Sequence, residues 1–272
     1  MKQISILGCG WLGLPLAISL LEKGFSINGS TTSVEKITIL EKAGISPFQI
    51  NLFEDRIEGN LDLILSNSEV LIIDIPPKLR GNSSENFVAK IQNIIPFIEK
   101  SSVEKVIFVS STSVYSDDNS IITEETIPNP DTESGRQLLE AEHLLRSNKN
   151  FQTTILRFGG LIGEDRHPIK FLAGRKNIEN PEGTINLIHQ VDCIGIIEAI
   201  VGLRQAQSDN WNKVFNAVAP FHPTRKEYYT QKAIELNLPL PKFDESKISI
   251  GKTILSDKIE QVLNYEFKKK TL

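Results

Sequence analysis

Apolar runs alternate with amphipathic stretches through the first half of the chain. Residues 4–7 form a short apolar run that enters glycine-rich sequence, and the apolar spacing after it predicts a helix to about Lys23. Residues 25–28 predict a second strand, 33–43 a second helix and 49–52 a weak third strand. Residues 69–75, EVLIIDI, are too uniformly apolar for a half-exposed strand and fit a parallel sheet covered on both faces. A helix over 86–99, a buried strand over 105–110 (KVIFVS), a helix over 135–148 and a strand over 153–158 continue the alternation. This order predicts an α/β fold, a Rossmann-like doubly wound parallel sheet with right-handed crossovers. Beyond residue 158 the pattern loosens: 159–183 is loop-rich, 192–203 helical, and 214–218 a strand. Thr224 is placed to cap a helix to about Leu236, which Pro239 and Pro241 follow, and 256–264 predicts a last short helix.

Composition narrows the function classes. With 272 residues, 40% hydrophobic and 24% charged, the chain can bury about 70–75% of its unfolded surface without a metal or disulfide staple. Thirty basic against 34 acidic side chains give a net charge of -4, the wrong sign for a nucleic-acid footprint. Two cysteines, Cys9 and Cys193, exclude a disulfide framework and point to a reducing cytoplasm. The stretch from Gln3 to Leu21 is uncharged, but Gly8, Gly10, Gly13 and Pro15 interrupt it, so neither a leader nor a membrane span is expected. His143, His167, His189 and His222 are scattered without helical pairing, so no metal site is expected. Gly251-Lys252-Thr253 has the end of a P-loop but not its beginning, because the first glycine would fall at Ser246.

Gly8-Cys9-Gly10-Trp11-Leu12-Gly13 is a G-x-G-x-x-G that follows the first strand and opens a helix, the setting of a dinucleotide site. Gly8 permits the tight turn, Gly10 a close backbone approach to a pyrophosphate, and Gly13 close packing of helix on strand. Trp11 and Leu12 belong to the same cradle. No acid stands where an NAD site holds its ribose 2′-OH ligand, since the corresponding stretch, 28–33, is Asn-Gly-Ser-Thr-Thr-Ser. Thr31 and Thr32, with Lys36 nearby, therefore favour NADP over NAD; the same hydroxyls could also cap the next helix. Ile75, Pro76 and Pro77, at the end of the fourth apolar strand, are expected to flank the cofactor. With Asp74 they also fit a hydroxyacid dehydrogenase, but the strands after residue 150 argue against the long helical domain of that fold. The expected organisation is a dinucleotide-binding domain over 1–158 and a smaller substrate lobe over 159–272, partly interleaved with it.

Ser110-Ser111-Thr112-Ser113-Val114-Tyr115, entered from a buried strand, resembles the extended short-chain dehydrogenase/reductases, the NAD-dependent epimerase/dehydratase group. Further likenesses follow in order: LRFGGLIG at 156–163, NLIHQVD at 186–192, VFNA at 214–217 and PTRKEYY at 223–229. The whole is most similar to the group's atypical, YeeZ-like subgroup. The resemblance implies cofactor contacts at Ser110, Phe158 and Gly159, a substrate-bonding hydroxyl at Ser111, and a small polar, sugar-derived substrate. Arg166, His167 and Asn186 are its expected substrate ligands, and a homodimer is compatible with it. It breaks at the proton-transfer pair, Tyr-x-x-x-Lys in active members, where Ser134 and Leu138 stand here. Tyr115 is the remaining candidate for that chemistry; its alternative is an aromatic packed beneath the active-site loop. His189 is expected to fix the second lobe by hydrogen bonding and Asp192 to cap the following helix. Two functions remain open: an oxidoreductase or epimerase with an atypical site, and a non-catalytic NAD(P)-binding redox sensor.

Overall fold

The computed structural model describes residues 2–77, 79, 85–202 and 211–272. Its strands β1 (Gln3–Leu7), β2 (Ser26–Thr31), β3 (Ser46–Gln49), β4 (Ser68–Ile73), β5 (Lys105–Ser111), β6 (Gln152–Phe158) and β7 (Val214–Ala217) form one parallel sheet in the order β7-β6-β5-β4-β1-β2-β3. The helices are α1 (Gly13–Glu22), α2 (Ile37–Lys42), α3 (Leu61–Leu65), α4 (Phe87–Lys100), α5 (Glu133–Ser147), α6 (Ile169–Leu172), α7 (Gln190–Val201), α8 (Arg225–Glu235) and α9 (Asp257–Leu263). The chain winds outward one way through β2 and β3 and the other way through β4 to β7. The direction reverses between β1 and β4, which opens a crevice at their carboxyl ends.

Helices cover both faces of the sheet, which explains the continuous apolar runs. β4 sends Val70 and Ile72 to one face, with Leu16 and Leu20 of α1 and Ile196 and Ile200 of α7. Leu71 and Ile73 go to the other face, with Ile91 and Ile94 of α4 and Leu138 and Leu145 of α5. Each such side chain contributes about 1.5–3 kcal/mol when fully buried. A third cluster, around Ile169, Ile185, Tyr228 and Tyr229, lies in the C-terminal part. There Gly160–Ile162 and Leu187–His189 form a separate parallel pair, and Thr253–Ile254 pairs with Ile121–Ile122.

Several expectations need correction. β2 runs on to Thr31 rather than ending at residue 28, because β1 and β3 pair along it. Thr31 and Ser33 consequently do not cap a helix; the following turn, Val34–Lys36, has no side-chain cap. The third strand of the sheet is Ser46–Gln49, ahead of the expected 49–52, of which Asn51–Leu52 is extended but pairs antiparallel with Ile57–Glu58 outside the sheet. Helix α3, capped by Asn60 through Leu63 N–H, occupies sequence with no strong periodic signal. α7 is capped by His189, whose Nδ1 accepts from Val191 N–H, and not by Asp192; the end expected at residue 203 lies outside the described residues. The fully buried Asp192 instead accepts from Tyr265 Oη (2.7 Å), Lys268 N (2.7 Å) and Lys269 N (3.1 Å) and so ties down the C-terminal segment. Thr224 caps α8 as expected, in a reciprocal capping box with Glu227, and Asn86, read as the first helical residue, instead caps α4.

Candidate functional site

The glycine loop is built as a phosphate cradle requires. Gly8 has φ +105°, and a Cβ there would lie 2.2 Å from the Asp74 carbonyl oxygen. One on Gly13 would lie 2.2 Å from the Gly8 carbonyl oxygen. At Gly10 a Cβ would meet only the Gly8 oxygen, at 4.0 Å, so the residue faces open space. The end of β2 holds the loop: Gly8 N–H donates to Ser30 Oγ (2.9 Å) and Cys9 N–H to the Ser30 carbonyl (2.7 Å). Ser30 was not among the expected site residues. The amino end of α1 carries no side-chain cap from Leu12; Gly13 N–H is taken by the Asp74 carboxyl and Leu14 N–H by the Gly10 carbonyl (3.2 Å). These features fit a bound dinucleotide, whose phosphates would meet the helix end beside Gly10. Cys9 packs behind the loop, and burial pushes its thiol up to about 12, so it is inert at neutral pH.

Asp74 follows β4, and its carboxyl is turned against α1. Burial pushes that carboxyl up to about 8, against the lowering effect of the Gly13 N–H it accepts from. A raised carboxyl makes the folded state hold a proton that the unfolded state has released. Its contribution to stability is complete below pH 3.8 and is lost as pH rises to about 8. Urea unfolding midpoints should therefore fall across that window, and Asp74→Asn should flatten the fall. Parallel profiles for the two proteins would refute this.

A cleft of about 1210 Å³ opens in front of the loop. Gly10, Trp11, Leu12, Ile75, Pro76 and Pro77 line one side, and Ser110, Ser111, Phe158 and Gly159 its floor. Arg166 and Asn186 face it from the C-terminal part. Gly8 and Gly13 sit behind the loop, and Thr31 and Thr32 lie at the end of β2, outside the lining. Ser111 Oγ accepts from Ser113 N–H (3.1 Å), which orients it and leaves its own proton free to be donated. Ser134 and Leu138 line the same cleft, held there because Gly135 lets α5 press against the turn at Thr112–Val114. A Cβ on Gly135 would lie 2.2 Å from the Ser113 carbonyl oxygen.

Tyr115 occupies the interior instead. Its hydroxyl accepts from Arg157 Nη1 (2.6 Å) and donates to Asn216 Oδ1 (3.0 Å), and the side chain is absent from the cleft lining. Arg157 in turn grips Glu142, which also accepts from Ser110 Oγ (2.6 Å). Tyr115 thus takes the packing role, and the Ser110 hydroxyl is committed beneath the sheet end. His167 also departs from expectation. Nδ1 accepts from Ile169 N–H and Nε2 bonds Tyr228 Oη (2.8 Å), so both ring nitrogens face inward. Burial, with Lys232 and Lys170 nearby, lowers its pKa to about 4. Asn186 lines the cleft, but its amide bridges the Lys252 carbonyl and Ile254 N–H (both 2.8 Å).

Two basic residues complete the wall. Lys252 enters the cleft with its Nζ 2.6 Å from the Tyr115 carbonyl and 3.0 Å from Asp117 Oδ1. Arg225, at the start of α8, lines the cleft beside Tyr229, and its buried Nε has no hydrogen-bond partner among the described residues. The only local signal for Lys252 was the rejected Gly-Lys-Thr; tertiary contacts bring it across 137 residues to Tyr115. Among the described residues, no group of three or more His, Cys, Asp or Glu could hold a metal ion, and no helix is long and apolar enough to cross a membrane.

No family model matches the chain. It is 34% identical over 269 residues to Protein YeeZ of Escherichia coli K12, covering 98% of this chain and 96% of that protein. Among solved structures, UDP-glucuronic acid 4-epimerase from Bacillus cereus in complex with NAD superposes with a TM-score of 0.79 at 17% identity, over 98% of this chain and 94% of that one. MoeE5 in complex with UDP-glucuronic acid and NAD gives 0.77, also at 17% identity and with the same coverage. These two similarities are of fold.

Proposed function

The chain belongs to the family of Protein YeeZ, with an NAD-dependent epimerase/dehydratase-like fold, and from that premise we propose that it is an NAD(P)-dependent oxidoreductase or epimerase acting on a small polar, sugar-derived substrate. The observation that carries this reading is the juxtaposition of the Gly10–Leu12 cradle, Ser111 and the basic residues Arg166, Arg225 and Lys252 in one cleft. The structural neighbours named above hold NAD together with, in one case, a nucleotide sugar, which supports the substrate class. When bound, the nicotinamide would supply a hydride acceptor or donor. The loop N–H groups and the α1 terminus would hold the phosphates, and Ile75, Pro76, Phe158 and Gly159 would shape the pocket around the cofactor. Ser111, oriented by the Ser113 N–H it accepts from, would donate a hydrogen bond to a substrate oxygen. Lys252 and Arg225 would face the anionic portion of the substrate. Ser134 and Leu138 supply neither a phenol nor an amine, so proton transfer would lack a dedicated group, a loss of about 10²–10⁴ in rate.

That same substitution favours a second reading, a dinucleotide-binding sensor without turnover. Screening sugar, nucleotide-sugar and carbonyl panels while following reduced-cofactor absorbance separates the two. Turnover that Ser111→Ala abolishes, with cofactor affinity unchanged, is the expected result. Cofactor binding without turnover on any panel would favour the sensor.

For the cofactor itself, NADP is expected to bind about ten- to a hundredfold tighter than NAD. The end of β2 offers Thr31 and the exposed Thr32, while the nearby Glu35 carboxylate is engaged by Ser33 Oγ. Calorimetric titration of both cofactors at one salt concentration tests this. Equal affinity, or tighter NAD, overturns the preference.

A further inference from the structure

Trp11, a variable position of the glycine motif, does more than line the cradle. Its indole Nε1–H donates to Asp165 Oδ1 (2.9 Å), and its carbonyl accepts from Gln190 Nε2 (2.6 Å). Its ring packs so closely under Gly163 that a Cβ there would lie 2.8 Å from Cζ2. The Arg166 guanidinium lies over the ring, 4.9 Å from its centroid. Arg166 is itself fixed by paired backbone hydrogen bonds with Gly163 (2.8 and 3.1 Å). Asp165 Oδ1 accepts from the indole, so the shelf beneath Arg166 is an aromatic face, and with no hydrogen bond to the guanidinium among the described residues its donors are left for the cleft it lines. The backbone of Trp11 belongs to the loop where the phosphates would lie, so Arg166 stands directly across the cradle from the second half of the chain.

We propose that Arg166, shelved on Trp11, is a pyrophosphate ligand that closes the dinucleotide site from the C-terminal lobe, with Trp11 as its positioning residue. This assigns Arg166 to the cofactor rather than to the substrate, and it rests on the dinucleotide reading above. A guanidinium forks onto adjacent phosphate oxygens, whereas an amine acts as a point charge, so lysine should replace it only in part.

The test measures dissociation constants for NADH and for ADP-ribose, which carries the pyrophosphate but no nicotinamide, with UDP-glucose as a probe of the substrate side. Arg166→Met should weaken NADH and ADP-ribose by the same factor, about tenfold or more, and Arg166→Lys by less. Arg166→Met should also show a shallower dependence of affinity on salt than the parent, because one fewer cation then faces the phosphates. Trp11→Leu should reproduce the loss and Trp11→Phe should largely restore binding, an outcome that a purely structural role for the indole would not give. Thermal melting identifies any variant that fails to fold, in which case the Lys and Phe variants decide. Unchanged NADH affinity in Arg166→Met, with or without a loss for UDP-glucose, overturns the proposal. If the parent protein binds neither NADH nor ADP-ribose, the dinucleotide reading fails and takes this inference with it.

Discussion

Gly10→Val is expected to weaken dinucleotide binding by about a hundredfold, equivalent to about 2.8 kcal/mol, while leaving the melting temperature near that of the parent. A side chain there meets only the Gly8 carbonyl oxygen, at 4.0 Å, and otherwise projects toward the cleft, where the phosphates would lie. Gly8→Ala and Gly13→Ala behave differently. Their new methyls would lie 2.2 Å from backbone oxygens, and Gly8 also has a positive φ, so these variants should lose stability before any effect on binding is seen. The contrast makes the measurement specific: fluorescence titration of the cofactor alongside thermal melting for all three. Unaltered affinity in Gly10→Val would mean that the ligand does not approach this loop.

Glu142→Ala should be the most destabilising single change in the molecule's buried polar network. Glu142 and Arg157 are 1% and 5% exposed, and the guanidinium donates to both carboxylate oxygens. Removing the carboxylate leaves a buried cation without its counter-ion and frees the Ser110 hydroxyl, a loss of about 3–5 kcal/mol. Replacing both partners together, Glu142→Leu with Arg157→Met, should recover much of that, because two apolar side chains of similar volume leave no buried charge. Urea unfolding of the single and double variants measures this directly, and a single variant within about 1 kcal/mol of the parent, the range of an ordinary surface substitution, would contradict it. Because this network lies directly beneath Ser110 and Ser111, the same single variant should also weaken cofactor binding; the double variant tests whether the charge itself is needed there.

The parallel sheet was legible because a strand buried on both faces must be apolar throughout, and residues 69–75 and 105–110 carry that mark without ambiguity. The glycine motif was equally plain, since only glycine satisfies the close approaches at positions 8 and 13. Local signals were weaker where pairing decided the outcome. β2 extends to Thr31 through hydrogen bonds to β1 and β3, although its last residues, Gly-Ser-Thr, read as a turn. The short helix α3 rests on one asparagine cap and three buried side chains, too little periodicity to stand out.

Side-chain direction belongs to tertiary structure. Tyr115 and His167 stand at positions where the chain nears the cleft, but a buried arginine draws one hydroxyl inward and Tyr228 holds the other ring away. Lys252 reaches the cleft only because the segment around it pairs with the loop after β5: Asn119 and Gly251 exchange hydrogen bonds, and Thr253–Ile254 adds a short strand. The sequence by itself determined the layered parallel sheet, the glycine-rich turn into α1 and the presence of Ser134 and Leu138 in place of a Tyr-x-x-x-Lys pair, because backbone sterics, burial period and residue identity are local properties. Only the folded chain decided which polar groups remain free to meet a ligand, because a hydrogen-bond donor or charge is committed by whatever partner long-range packing brings within about 3 Å of it.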